Sequence, residues 1–213
     1  MEYTIAGINQ SEANDKTGLT FPIILKTMLR QDPNVIMVGE IRDAETAEIA
    51  IAAALTGHFV LSTLHTNDAP AAITRLINMG VKPFLVATSL QGIMAQRLVR
   101  RICKQCKEQV AYTADQLREM GFNAEVLKET PFYRGKGCKD CNNVGYRGRV
   151  GIYELMELNE TLRDMTYQTA STDDIRRVAR ESGMTTLKED GLRKAKDGKT
   201  TLEEVFLVAG LED

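Results

Sequence analysis

The chain has 213 residues, 43% apolar and 26% charged, with a formal net charge of −2. Those values exclude a disordered or fibrous polymer and leave no overall positive field to attract nucleic acid or anionic lipid. Residues 1–30 hold no basic-then-apolar leader, and the most apolar stretch, Ile49 to Leu64, is interrupted by Thr56-Gly57-His58 short of the ~20 residues a spanning helix needs, so cytoplasmic residence is expected.

Thr20 is placed to cap a helix from Phe21 to about Arg30, with Pro22 tolerated in its first turn. The apolar run Val35 to Val38 predicts a strand buried on both faces. Asp43 stands ready to cap AETAEIAIAAAL, Gly57 stops that helix, and Phe59 to Leu64 predicts a second buried strand. Asp68 heads APAAITRLINM, which Gly80 closes, and another helix is expected from about Pro83 through Arg100. Strand and helix alternating at these lengths is the βαβ signature of a parallel α/β sheet.

Beyond Cys106 the texture changes. Thr113 with Gln116 forms a capping box ahead of a helix ending on Gly121, and Val150 to Met156 alternates like a strand. Three or four short helices follow Asn159, in ETLRDMTYQ, TDDIRRVARESG, LKEDGLRKAKDG and TLEEVFLVAG, with Thr200 and Glu203 as a further capping box. The expected division is therefore 1–101 for the α/β part, 102–147 for a cysteine-held insert, and 148–213 for a strand plus helical tail packed on the α/β part.

Ligands of nucleotide-binding α/β sheets lie at the carboxyl ends of parallel strands. The first strand delivers Gly39 and Glu40 there, a close-approach position and a carboxylate suited to a magnesium-bound or attacking water. The second delivers His65, whose imidazole suits a phosphoryl oxygen, while Arg42 and Arg75 could add positive charge. Each also has a plain account: a solvated loop glutamate, a structural histidine. His58, at the foot of its strand, is read as structural.

Cys103 with Cys106 and Cys138 with Cys141 form two CxxC pairs separated by thirty-one residues. In a reducing compartment that spacing points to thiolate ligands, and four of them suit a closed, structural Zn2+ site. An iron–sulfur cluster, for which the spacing is unusual, and free buried thiols are the alternatives.

From LRQDPNVIMVGEIRDAETAEIAIAAALTGHFVLSTLHTNDAP through AQRLVRRICKQC, GYRGRVGIYE and the tail, the chain resembles the type II secretion and type IV pilus assembly ATPases. In that family GEIRD is an atypical Walker B motif and STLHTND the His box; Asn34, ahead of the first strand, stands where the family usually has aspartate after Pro33. The resemblance implies a partial RecA-like P-loop NTPase sheet with a tetracysteine insert of the assembly-type enzymes and a C-terminal helical subdomain. It further implies ATP and Mg2+ as ligands, a homo-hexamer, and an inner-membrane platform protein as partner, with no nucleic acid. By the same resemblance Arg149 faces a nucleotide phosphate or a subunit interface; Arg147 and Arg149 otherwise read as solvated arginines, and the basic run Arg97, Arg100, Arg101 and Lys104 as an exposed face or an inter-subunit contact. No GxxxxGK[ST] phosphate loop occurs in these residues, and Glu2 matches only the trailing end of the family's upstream acidic box. The expectation is thus a C-terminal piece of a longer enzyme, inactive alone, with a zinc-stabilised docking module that binds no nucleotide as the alternative.

Overall fold

A computed structural model describes residues 3–127 and 129–210; Glu2 lies outside them. The elements begin with α1 (Phe21–Met28), β1 (Val35–Val38), α2 (Ala44–Leu55), β2 (Phe59–Ser62), α3 (Ala69–Asn78) and α4 (Pro83–Ser89). Next come β3 (Gly92–Ile102), β4 (Lys107–Val110), α5 (Ala114–Glu119), α6 (Ala124–Leu127), β5 (Phe132–Gly135) and β6 (Tyr146–Glu157). The tail holds α7 (Glu160–Tyr167), α8 (Thr172–Glu181), α9 (Leu187–Lys196) and α10 (Leu202–Ala209). Packing separates these into two compact units, one running up to Gln91 and resuming at Leu158–Arg176, the other made of Gly92–Glu157 and the chain from Arg177. The residue after which the α/β part was expected to end, Arg101, lies inside β3.

In the first unit β1 and β2 pair in parallel, Val35 opposite Phe59 through Val38 opposite Ser62, with α2 as the crossover. Asp43 caps α2 by accepting the Thr46 N–H and hydroxyl, each at 2.8 Å. Thr20 makes no side-chain cap bond. The strands are not buried on both faces as their apolar runs predicted. Ile36 and Val38 are buried, whereas Val35, Met37, Phe59 and Leu61 are exposed, Met37 by 69%. Hydrophobicity marks a face as able to be buried; only a neighbouring layer buries it, and here one face of a two-stranded sheet is covered. The tail's first helix belongs to this unit: α7 packs on α4, and Arg163 donates to the Ala87 carbonyl at 2.6 Å.

The second unit overturns the helix expected through Arg100. That helix stops at Ser89, and β3 pairs antiparallel with β6 from Gly92 opposite Glu157 to Ile102 opposite Tyr146. Buried Ala95, Val99 and Ile102 stand four and three apart, a spacing that mimics a helical stripe. A long partner strand satisfies the same backbone groups, and that pairing outweighs the local pattern. Helices α9 and α10 cover the ribbon, and Leu117, Phe122, Leu127 and Phe132 close a core with Ala195, Leu202 and Val205.

The Thr113/Gln116 capping box forms as expected. The one expected at Thr200 and Glu203 is displaced by one residue: Thr201 accepts the Glu204 N–H at 3.3 Å, and Thr200 donates to the Arg100 carbonyl at 2.8 Å. Glu204 turns instead to Arg100, accepting from its N–H, Nε and Nη2 at 2.8, 2.9 and 2.6 Å. Burial opposes the Glu204 charge, yet the Arg100 guanidinium and N–H hold its carboxyl below the usual range. A lowered folded value means stability that is complete above the ordinary 4.5 and lost as pH falls through the folded value. Glu204→Gln is expected to cost about 1–2 kcal/mol at neutral pH, modest because Arg100 can rehydrate. The difference from the parent chain in urea melts should shrink below pH 4.5.

Candidate functional site

The parallel ladder continues past the ends of β1 and β2. Ile41 N–H donates to the Thr63 carbonyl at 3.0 Å, and the Thr63 hydroxyl donates to the Gly39 carbonyl at 2.7 Å. This clasp brings the two post-strand loops together, and with them Glu40 and His65. The imidazole Nε2–H donates to Glu40 Oε2 at 3.1 Å, while Arg42 Nε pairs with the same oxygen at 2.6 Å. Glu40 keeps 23% of its side chain exposed and His65 80%, so the pair faces outward at the carboxyl ends of the strands. Hydrogen bonds from Arg42 first, then His65, hold the Glu40 carboxyl below the usual range, so it is an ionised acceptor at neutral pH.

The other candidates are dispersed. Arg75 is exposed in the last turn of α3 and is not among the charges acting on Glu40. Arg149 lies in the second unit, on β6 opposite Arg100. His58 lies 3.0 Å through Nδ1 from the Ala53 carbonyl at the end of α2, in keeping with a structural role. The sequence reading missed Thr63. A hydroxyl near the carboxyl end of the predicted second strand, level with the glycine that follows the first, was the available signal.

The cysteines meet because of strand topology. Cys103 and Cys106 lie in the turn from β3 to β4, Cys138 and Cys141 between β5 and β6. Since β3 pairs with β6 and β4 with β5, the two connections lie side by side. Cys103 N–H donates to the Gly145 carbonyl at 3.0 Å, and Lys136 N–H to the Cys106 carbonyl at 3.1 Å. The backbones cross so closely that a Cβ on Gly135 would stand 2.0 Å from the Gly145 carbonyl oxygen, which leaves room for glycine alone.

All four sulfurs lie within 4.8 Å of one another. Cys103–Cys138 and Cys106–Cys141 are 3.8 Å apart, Cys138–Cys141 3.7 Å. A tetrahedral zinc with Zn–S near 2.3 Å requires sulfur–sulfur edges of about 3.8 Å. The donor set and spacing therefore fit one four-coordinate ion, whereas a multi-iron cluster would hold its cysteine sulfurs farther apart. Burial works against a thiolate at Cys141, yet backbone N–H groups of Cys138 and Gly145, 3.2 and 3.3 Å from its sulfur, bring its thiol down to about 6.

Comparison with known proteins follows the same lines. The family model described as Type II/IV secretion system protein matches residues 1–207. The type IV pilus assembly ATPase PilB of Thermus thermophilus is 51% identical over 206 residues, covering 97% of this chain and 23% of that protein. Type II secretion system protein E of Pseudomonas aeruginosa is 48% identical over 208 residues, 98% of this chain and 41% of its own length. This chain thus spans well under half of either relative. Among solved structures, the pilus retraction motor PilT with bound ADP superposes with a TM-score of 0.61 at 28% identity, over 90% of this chain and 45% of that one. The Legionella pneumophila ATPase DotB, at TM-score 0.61 and 22% identity over 93% of this chain and 44% of its own, shows the shared α/β fold.

Proposed function

This chain belongs to the type II/IV secretion system protein family, and from that premise we propose that it supplies the Walker B and His-box part of an ATPase driving pilin or pseudopilin assembly. Bound ATP with Mg2+ would supply the phosphoryl group and the charge that polarises it. Glu40, an anion at neutral pH, would orient an attacking or magnesium-bound water there. His65 would donate Nε2–H to a phosphoryl oxygen and Arg42 would offset phosphate charge, each in exchange for its contact with Glu40. Arg75 and Arg149 serve phosphates or subunit contacts. The Cys103, Cys106, Cys138 and Cys141 centre holds zinc as a structural ion.

The working form is a cytoplasmic homo-hexamer docked to an inner-membrane platform protein. Among the described residues no helix is long and apolar enough to cross a membrane. The phosphate-loop lysine comes from outside these 213 residues. Two observations support that: the motif does not occur in the sequence, and the β1–β2 sheet has an exposed apolar face that a further layer of structure could cover.

The Glu40–His65 contact at the ends of neighbouring parallel strands carries this reading. Its test is Mg-ATP titrated into this chain and into a version joined to the phosphate-loop segment of a relative. Turnover in the joined form alone is expected. Turnover in neither, with zinc retained, would replace the motor by a zinc-stabilised docking module.

A further inference from the structure

His65 stands on the loop from β2 to α3, and that loop is fastened at both ends. Its start is the Thr63–Gly39 clasp. At its far end Asp68, with a side chain only 8% exposed, divides its two oxygens between two tasks. Oδ1 caps α3 by accepting the Ala71 N–H at 2.9 Å. Oδ2 accepts from Arg176 Nε at 3.1 Å and Nη2 at 2.6 Å. Between the ends, the Thr66 hydroxyl donates to the Asp68 carbonyl at 3.2 Å. Arg176 is itself braced by Asp173 within α8, and a Thr74–Thr172 hydroxyl bond of 2.7 Å sets α8 beside α3.

Capping occupies one carboxylate oxygen, and a serine or asparagine does it as well. An ionised aspartate buried at this point is costly unless its charge is matched, and the match comes from a helix 108 residues later. Two N–H groups of one planar guanidinium converging on the same oxygen fix direction as well as charge. We infer that Asp68 and Arg176 are positioning residues for His65: by fixing the far end of the loop they hold the imidazole at Glu40 Oε2 and give α8 mechanical purchase on that pair. Their meaning for catalysis rests on the nucleotide reading above; their placement of His65 does not.

Glu40 reports on this directly, because Arg42 and His65 are the side chains that hydrogen-bond to it. Carbon-13 NMR of the zinc-loaded chain gives the pH midpoint of the Glu40 carboxyl, and the sequence has only two histidines to assign. His65→Gln is expected to raise that midpoint. Arg176→Gln should reproduce at least half of the rise and add nothing further when combined with His65→Gln. Asp68→Asn, which keeps a capping oxygen and drops the charge, should behave as Arg176→Gln does, and Arg176→Lys should recover part of the parent midpoint. If Arg176→Gln does not fold, Asp68→Asn decides alone. A variant with a lower melting temperature and the parent Glu40 midpoint overturns the inference, as does an additive rise in the double variant, since either leaves the ion pair as a mere dock for α8. Coupling here without nucleotide turnover in the joined chain would retire the motor and keep the positioning role; turnover without coupling would do the reverse.

Discussion

Glu40→Gln in the chain joined to a phosphate loop is expected to cut ATP turnover about 10²- to 10³-fold, the scale of losing a group that acts on the attacking water or the charge of the transition state. The substitution preserves shape and one acceptor oxygen, replaces the other by a donor NH2, and removes the anion. The side chain lies at the surface edge of the strand, so folding should be little affected. KM for ATP should move far less than kcat, because an interaction made in the transition state leaves ground-state binding in place. Phosphate release under saturating Mg-ATP, alongside thermal melts, reads both. Unchanged turnover with an intact fold would remove Glu40 from the chemistry and leave its contact with His65 as a structural pairing.

Cys138→Ser is expected to take bound zinc from a full equivalent to near zero and to lower Tm by roughly 10 °C, because metal binding energy in a closed thiolate site is folding energy. Chelation of the parent chain at low pH should do the same, since the ligands must be ionised to bind. Metal analysis after gel filtration checks the first number and a thermal melt the second. The cysteines belong to the second unit and Glu40 to the first, so the Glu40 carboxyl should titrate as before in the zinc-free variant. Full zinc content in Cys138→Ser would refute the ligand assignment.

These two predictions draw on different amounts of the sequence. The cysteine centre was legible because CxxC spacing constrains two ligands locally; that the pairs would meet depended on β3 finding β6 and β4 finding β5, which no local pattern encodes. Glu40 and His65 were legible through the βαβ rule, which sends whatever follows parallel strands to one edge. Their shared oxygen, the Arg42 pairing and the Thr63 clasp were not, since each depends on side-chain direction beyond the strand ends. Caps at Asp43, Thr113 and Asp68 were readable because they act across three residues. The cap expected at Thr200 was misplaced because the Thr200 hydroxyl donates to the carbonyl of Arg100, 100 residues away, and the Glu203 carboxylate accepts from Tyr112.

By itself the sequence determined what short-range physics governs: where helices begin, which segments are apolar enough to be strands, which residue types could hold phosphate or metal. Tertiary structure alone decided that Gly92–Ile102 is a strand rather than a helix, that β1 and β2 are covered on one face, and that Asp68 answers to Arg176 as well as to its own helix. The reason is common to all three. Periodicity and capping are settled among neighbours in the chain, whereas burial, strand pairing and charge compensation are settled by whichever distant segment offers the matching surface, and several partners compete for the same groups until the fold is complete.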